Sequence, residues 1–167
     1  MLSETLTNKL NEQINLEFYS ANMYLQMSTW CSHKGFDGCA EFLKQHADEE
    51  RSHMEKLFNY VHETGGLPIL GTIAAAPTSW ESVQDVFKAT HQHEQKITES
   101  INILVKQALE EEDFSTFNFL QWYVAEQHEK EHLFQSILDK IGLFAAEDKG
   151  LYFIDQEMRK IATGRNT

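Results

Sequence analysis

Proline is nearly absent: the 167 residues hold two, Pro68 and Pro77. Both fall in one short stretch, so nothing interrupts long helices on either side of it. Cysteine is as scarce. Cys31 and Cys39 are too few for a disulfide framework and lack the spacing of a thiolate metal site, which points to a reducing compartment, the cytoplasm. Basic residues number 14 against 26 acidic ones, for a net charge of −12. That balance repels a phosphate backbone, no local basic patch offsets it, and no nucleic-acid partner is expected. No apolar run is long enough to span a bilayer, and Met1-Leu2-Ser3-Glu4-Thr5 has neither the basic nor the apolar part of a secretion signal. No membrane association is expected.

What is present is the composition of a globular protein, 41% hydrophobic and 24% charged, in a length that suits one domain over residues 1–167. Apolar periodicity predicts helices near 3–33, 37–64, 82–111, 114–142 and 147–162, and no strands. Asp37, Ser82 with Asp85, and Asp113 stand at helix starts as capping residues, while Gly35, Gly65-Gly66 and Gly142 stand where helices should stop. The short first and third links imply antiparallel neighbours; the stretch 65–81 is long for an unstructured link. A helix of about 30 residues measures about 45 Å, and about 16 extended residues reach about 50 Å, so this stretch can return along the bundle. The expected fold is all-α, a four-helix bundle with one long crossover and a short fifth C-terminal helix.

Laid out at 100° per residue, each long helix carries one stripe aimed at the core. The first runs Leu6, Leu10, Ile14, Glu17, Ala21, Tyr24, Leu25, Ser28, Cys31. The second runs Leu43, His46, Ala47, Glu50, His53, Met54, Leu57, Val61. The third centres on Glu94, between Phe87 and Thr90 on one side and Ile97 and Ile101 on the other; the fourth passes through Leu120, Tyr123, Gln127, Lys130 and Phe134, with Glu126 just outside its edge. Glu17, Glu50 and Glu94 thus sit mid-stripe, where an isolated carboxylate is strongly disfavoured. A shared polar site satisfies all of them, and Glu50-x-x-His53 puts two ligand groups on one helical face. Carboxylates with an imidazole suit iron, manganese or zinc; the lack of thiolates argues against copper(I) and iron–sulfur clusters.

The segments Leu10-Asn11-Glu12-Gln13-Ile14-Asn15-Leu16-Glu17, His46-Ala47-Asp48-Glu49-Glu50-Arg51-Ser52-His53 and Phe117 to Glu129, with Gly150-Leu151-Tyr152-Phe153-Ile154-Asp155 in the fifth helix, resemble bacterial non-heme ferritin. The resemblance implies an iron storage protein with ferroxidase activity, Fe(II) oxidation by O2 or H2O2, in a homo-oligomeric shell of about 24 subunits that holds Fe(III) mineral. It implies a first iron at Glu17, Glu50 and His53, a second bridged by Glu50 and held by Glu94 with Gln127 beside it, and a third at Glu49, Glu126 and Glu129. Tyr24 is similar to the ferritin tyrosine that hydrogen-bonds at the site and donates an electron. The acidic run Glu110-Glu111-Glu112-Asp113 matches the corner near the threefold channels. No heme is expected, because Arg51 follows Glu50 where a bacterioferritin has its heme-ligating Met, and Glu126 is followed three on by Glu129 rather than His.

One position departs from the family pattern. Lys130 stands where a glutamate usually links the second and third irons, and a protonated amine cannot ligate. The expectation is a weakened second and third site and an intact first, with Lys130 paired to Glu126 or Glu94 or swung to solvent. Two rival functions are a ferritin-fold di-iron oxidase or peroxidase without storage, and a metal-free helical interaction protein.

Overall fold

A computed structural model describes residues 2–144 and 149–164. Five helices follow in order, α1 (Glu4–His33), α2 (Asp37–Glu63), α3 (Val83–Glu110), α4 (Phe114–Phe144) and α5 (Gly150–Ala162), and no strand occurs among the described residues. Helix starts follow the capping chemistry in most places. Ser3 Oγ accepts from Leu6 N at 3.0 Å, Ser82 Oγ accepts from Asp85 N at 3.1 Å, and Asp113 Oδ1 accepts from Thr116 N at 3.0 Å. Asp37 differs: it is the first residue of α2, preceded by Phe36 with no side-chain cap, so it serves the helix through its charge near the positive end. Gly35 and Gly65 take left-handed φ of 84° each just past α1 and α2, the conformation that lacks a Cβ penalty there. Gly142 does not stop α4, which continues two residues beyond it. The expected start of the last helix at 147 lies outside the described residues.

α1 packs on α2, α3 on α4, and α1 against α3, giving two antiparallel hairpins joined by the long crossover. Two asparagines one turn apart on α1 hold that crossover in place. Asn11 Nδ2 donates to Leu67 O (3.0 Å) and its Oδ1 accepts from Ile69 N (2.8 Å). Asn15 repeats the pattern on Ile69 O (2.9 Å) and Gly71 N (2.7 Å). Extended backbone that would otherwise be unpaired thereby finds partners along α1. α5 packs on α2 and α4; Asp155 Oδ1 accepts from Cys39 N at 2.9 Å. The approach is so close that a Cβ on Gly38 would lie 1.9 Å from Asp155 O.

The apolar interior falls into two clusters. One gathers Leu6, Leu10 and Ile14 with Leu57, Ile101 and Leu120; the other gathers Tyr24, Met27, Phe42, Phe87, Phe134 and Ile141. Glu17, Glu50 with His53, Glu94, and Gln127 with Lys130 fall between the segments feeding these clusters, so they form a layer across the middle of the bundle.

Candidate metal centre

That layer is almost wholly withdrawn from solvent: Glu17, Glu50 and Glu94 are each 1% exposed, and His53, Gln127 and Lys130 are also buried. α1 supplies Glu17, α2 supplies Glu50 and His53 one turn apart, α3 supplies Glu94, and α4 supplies Gln127 and Lys130. Glu17, Glu50 and His53 bring one ligand atom each to within 4.8 Å of the others.

Each carboxylate is oriented by a different device. Gln13, one turn before Glu17, donates from Nε2 to Glu17 Oε1 at 2.7 Å. Its carbonyl oxygen in turn accepts from Ser100 Oγ at 2.6 Å, which fixes which end of the amide faces the acid. Glu94 is held on both oxygens, by the Tyr24 hydroxyl and by Gln127 Nε2 at 2.9 Å. Trp122 packs edge-on against the His53 ring, centroids 5.1 Å apart, and Tyr123 OH donates to His53 O at 2.8 Å. Among the described residues, Glu17 Oε2 and Glu50 Oε2 have no hydrogen-bond partner. His53 Nδ1 lies 3.4 Å from Glu50 Oε2, in ion-pair range but without the geometry of a hydrogen bond.

Lys130 is the surprise. Its ammonium donates to Glu50 Oε1 and lies 3.4 Å from His53 Nδ1. The expected partners, Glu126, Glu94 or solvent, are not the ones it contacts. The reason is reach and charge: the stripe points Lys130 inward, and three buried acids await it there. The two groups it does contact, Glu50 and His53, both belong to the first position. Burial works against the ammonium, but Glu94, Glu50 and Glu17 hold its pKa above the usual lysine range. Burial would also raise Glu50, yet the Lys130 charge, with His53, holds that carboxyl well below its ordinary value. Glu17 goes the other way, raised well above the carboxylate range by burial and then by the neighbouring Glu50. Glu94 is raised by burial, with Lys130 opposing. Burial and then Glu94 push the Tyr24 phenol up, which keeps it a protonated donor.

The remaining sequence-predicted residues lie elsewhere. Glu49 and Glu129 are exposed and Glu126 is half-buried; these three share with His53 and Lys130 an open cleft of about 540 Å³ beside the buried layer. They do not join the Glu17, Glu50 and His53 group. In the acidic corner, Asp113 caps α4 and Glu111 accepts from Gln107 Nε2 at 2.8 Å, so two of those acids already have local roles. Sequence reasoning missed Gln13 and Ser100. The only signal was the four-residue step from Gln13 to Glu17.

The donor set therefore consists of buried acids and an imidazole, with two acid oxygens unpartnered, and it suits hard or borderline divalent cations. Comparison with known proteins agrees. A family profile described as a ferritin-like domain matches residues 7–144, and the chain belongs to that family. It is 52% identical over 163 residues to a probable bacterial non-heme ferritin-like protein of Haemophilus influenzae, covering 98% of this chain and 99% of that one. The bacterial non-heme ferritin of Escherichia coli O157:H7 is 49% identical at the same coverage. Among solved structures, Chlorobium tepidum ferritin aligns with a TM-score of 0.86 and 50% identity over 96% of this chain and 98% of that one. An open pore ferritin of Archaeoglobus fulgidus reaches 0.92 at 38% identity, over 95% and 96%.

Proposed function

We propose that this chain stores iron, taking up Fe(II), oxidising it with O2 or H2O2, and retaining the Fe(III) product inside a shell of 24 copies in the cytoplasm. The observation that carries this reading is the buried layer itself. Three carboxylates and a histidine share a buried layer where two apolar clusters part, and among the described residues Glu17 Oε2 and Glu50 Oε2 have no hydrogen-bond partner. A protein that had no cation to bind would gain by replacing such groups with apolar ones.

In this reading Glu17, Glu50 and His53 hold one ferrous ion. Glu50 also faces a second, held by Glu94, with Gln127 orienting the Glu94 carboxylate. Two ferrous ions side by side divide the electron demand of oxygen or peroxide reduction while the helices set their geometry. Tyr24, hydrogen-bonded to Glu94, is placed to supply a further electron. Ferric product then leaves toward exposed acids of α2 and α4, among them Glu49 and Glu129. Glu126, on the same cleft, completes the set that a third iron would use. Assembly is supported by apolar side chains left open on the crossover, Leu67 at 72%, Ile69 at 51% and Leu70 at 53% exposure, a concentration that calls for a covering surface.

Ferrous iron added to the purified protein in air tests oxidation, assembly and storage together. Ferric absorbance should rise faster than in protein-free buffer, and the iron should elute with a particle far larger than one 19.4 kDa chain. Iron that precipitates at the buffer rate and elutes apart from the protein would overturn the reading.

A further inference from the structure

Lys130 occupies the place where a metal cation belongs, yet its surroundings also offer it a way out. The side chain lies on the wall between the buried layer and the open cleft, lining that cleft together with Glu49, Glu126 and Glu129. Glu126 stands four residues before Lys130 on α4. A glutamate placed one turn N-terminal to a lysine is the favoured order for an ion pair on a helix. Glu126 is half-buried, and among the described residues it makes no ion pair in the present arrangement, where the ammonium is turned inward to Glu50. As the neighbour one turn along the same helix and on the same cleft, Glu126 is the carboxylate that an outward-turned Lys130 side chain would meet.

We infer that Lys130 is a tethered, displaceable cation: it fills the centre when metal is absent, and metal entry drives its ammonium out of the buried layer onto Glu126 in the cleft. This inference rests on the reading of Glu17, Glu50 and His53 as metal ligands. Three features follow from one residue. In the metal-free state the ammonium satisfies Glu50 Oε1, which would otherwise join the unpartnered oxygens beside it. On metal entry, the cation leaving Glu50 frees that oxygen to ligate. Once outside, the ammonium uses the carboxylate that a third metal ion would need, so the lysine form of the centre holds two metal ions rather than three. Lys130 is then a positioning and selectivity residue, acting through Glu50 and Glu126 rather than on iron directly.

The test is a thermodynamic cycle in the assembled full-length protein, with Co(II) as an oxidation-resistant probe. Affinity and stoichiometry come from calorimetry, and visible absorption reports the coordination. Four proteins are compared: the parent, Lys130→Gln, Glu126→Gln, and the double variant. Lys130→Gln should tighten Co(II) binding by about tenfold or more, because a repelling charge is gone. Glu126→Gln should weaken binding of the first Co(II) about two- to fivefold in the parent by removing the landing partner, and by distinctly less where residue 130 is already Gln, the loss there falling on the third Co(II) instead. Should Lys130→Gln fold poorly, Lys130→Asn, also neutral and still carrying a side-chain donor, provides the same comparison. Equal weakening by Glu126→Gln in both backgrounds would overturn the exchange, since it would mean that Glu126 acts on the metal without the lysine. Unchanged affinity in Lys130→Gln would overturn it too. If neither the parent nor Lys130→Gln binds Co(II), the ligand reading fails together with the exchange; if both bind with equal affinity, only the exchange fails.

Discussion

Replacing Lys130 with Met in the metal-free protein should destabilise the fold by about 3 kcal/mol at pH 7 and by less than about 1 kcal/mol at pH 5. The reasoning starts from Glu50, which is 1% exposed and has the Lys130 ammonium as the hydrogen-bond donor on its Oε1. Methionine keeps the volume and flexibility of the lysine stem but removes the charge. An ionised Glu50 would then be buried without a counter-ion, a situation that costs about 3–5 kcal/mol. The alternative is to take up a proton. From an ordinary carboxyl pKa of 4.5, neutralising the group costs about 3.4 kcal/mol at pH 7, at about 1.36 kcal/mol per pH unit, and only about 0.7 kcal/mol at pH 5. The cheaper route sets the loss, so the penalty must shrink as pH falls. The sign agrees with linkage: in the parent Glu50 is ionised folded and unfolded at both pH values, whereas in the variant the buried carboxyl, without its counter-ion, is raised above 4.5 and takes up a proton on folding, so the variant regains stability as pH falls towards 4.5. Urea unfolding followed by circular dichroism at both pH values, at one protein concentration and with metal removed, measures the difference. A loss of the same size at pH 7 and pH 5, or no loss at either, would refute the reasoning.

Three further outcomes are expected. His93 is buried and its pKa is lowered to about 4, chiefly by burial. The unfolded chain therefore binds a proton near pH 6.5 that the folded chain refuses until about pH 4; stability should fall by about 3 kcal/mol across that window, and His93→Gln should flatten the fall in a pH series of unfolding curves. Gly38→Ala should dislodge α5, because the new Cβ would meet Asp155 O at 1.9 Å; hydrogen exchange in residues 150–162 should accelerate while α1 and α3 stay protected. Tyr24→Phe should fold normally but leave Glu94 Oε1 without its hydroxyl donor, slowing Fe(II) oxidation by about tenfold or more in stopped-flow absorbance, and an unchanged rate would remove Tyr24 from the chemistry.

The bundle was legible because burial and helical period coincide. Of the stripe residues on α2, from Leu43 to Val61, every one is buried; on α1 only Leu25 departs, at 43% exposure. The convergence of Glu17, Glu50 and His53 was legible for the same reason, since a carboxylate at a stripe centre must face the interior. The end of α4 at Gly142 was misread because glycine permits a stop without compelling one, and nothing within 4 Å of a Cβ there opposes continuation. The contacts of Lys130 were not legible. A one-dimensional stripe tells that a side chain points inward but not which of three acids on other helices lies within its reach, and the i,i+4 neighbour Glu126 was the nearer guess. Gln13 and Ser100 escaped because a residue that orients a ligand carries no charge to look out of place.

Anomalous scattering at the iron edge, from crystals of the protein soaked anaerobically in Fe(II), tests the central claim most directly. An iron peak is expected within coordination distance of Glu17, Glu50 and His53, with the Lys130 side chain withdrawn from Glu50. Crystals that take up iron elsewhere while Lys130 still holds Glu50 would contradict it.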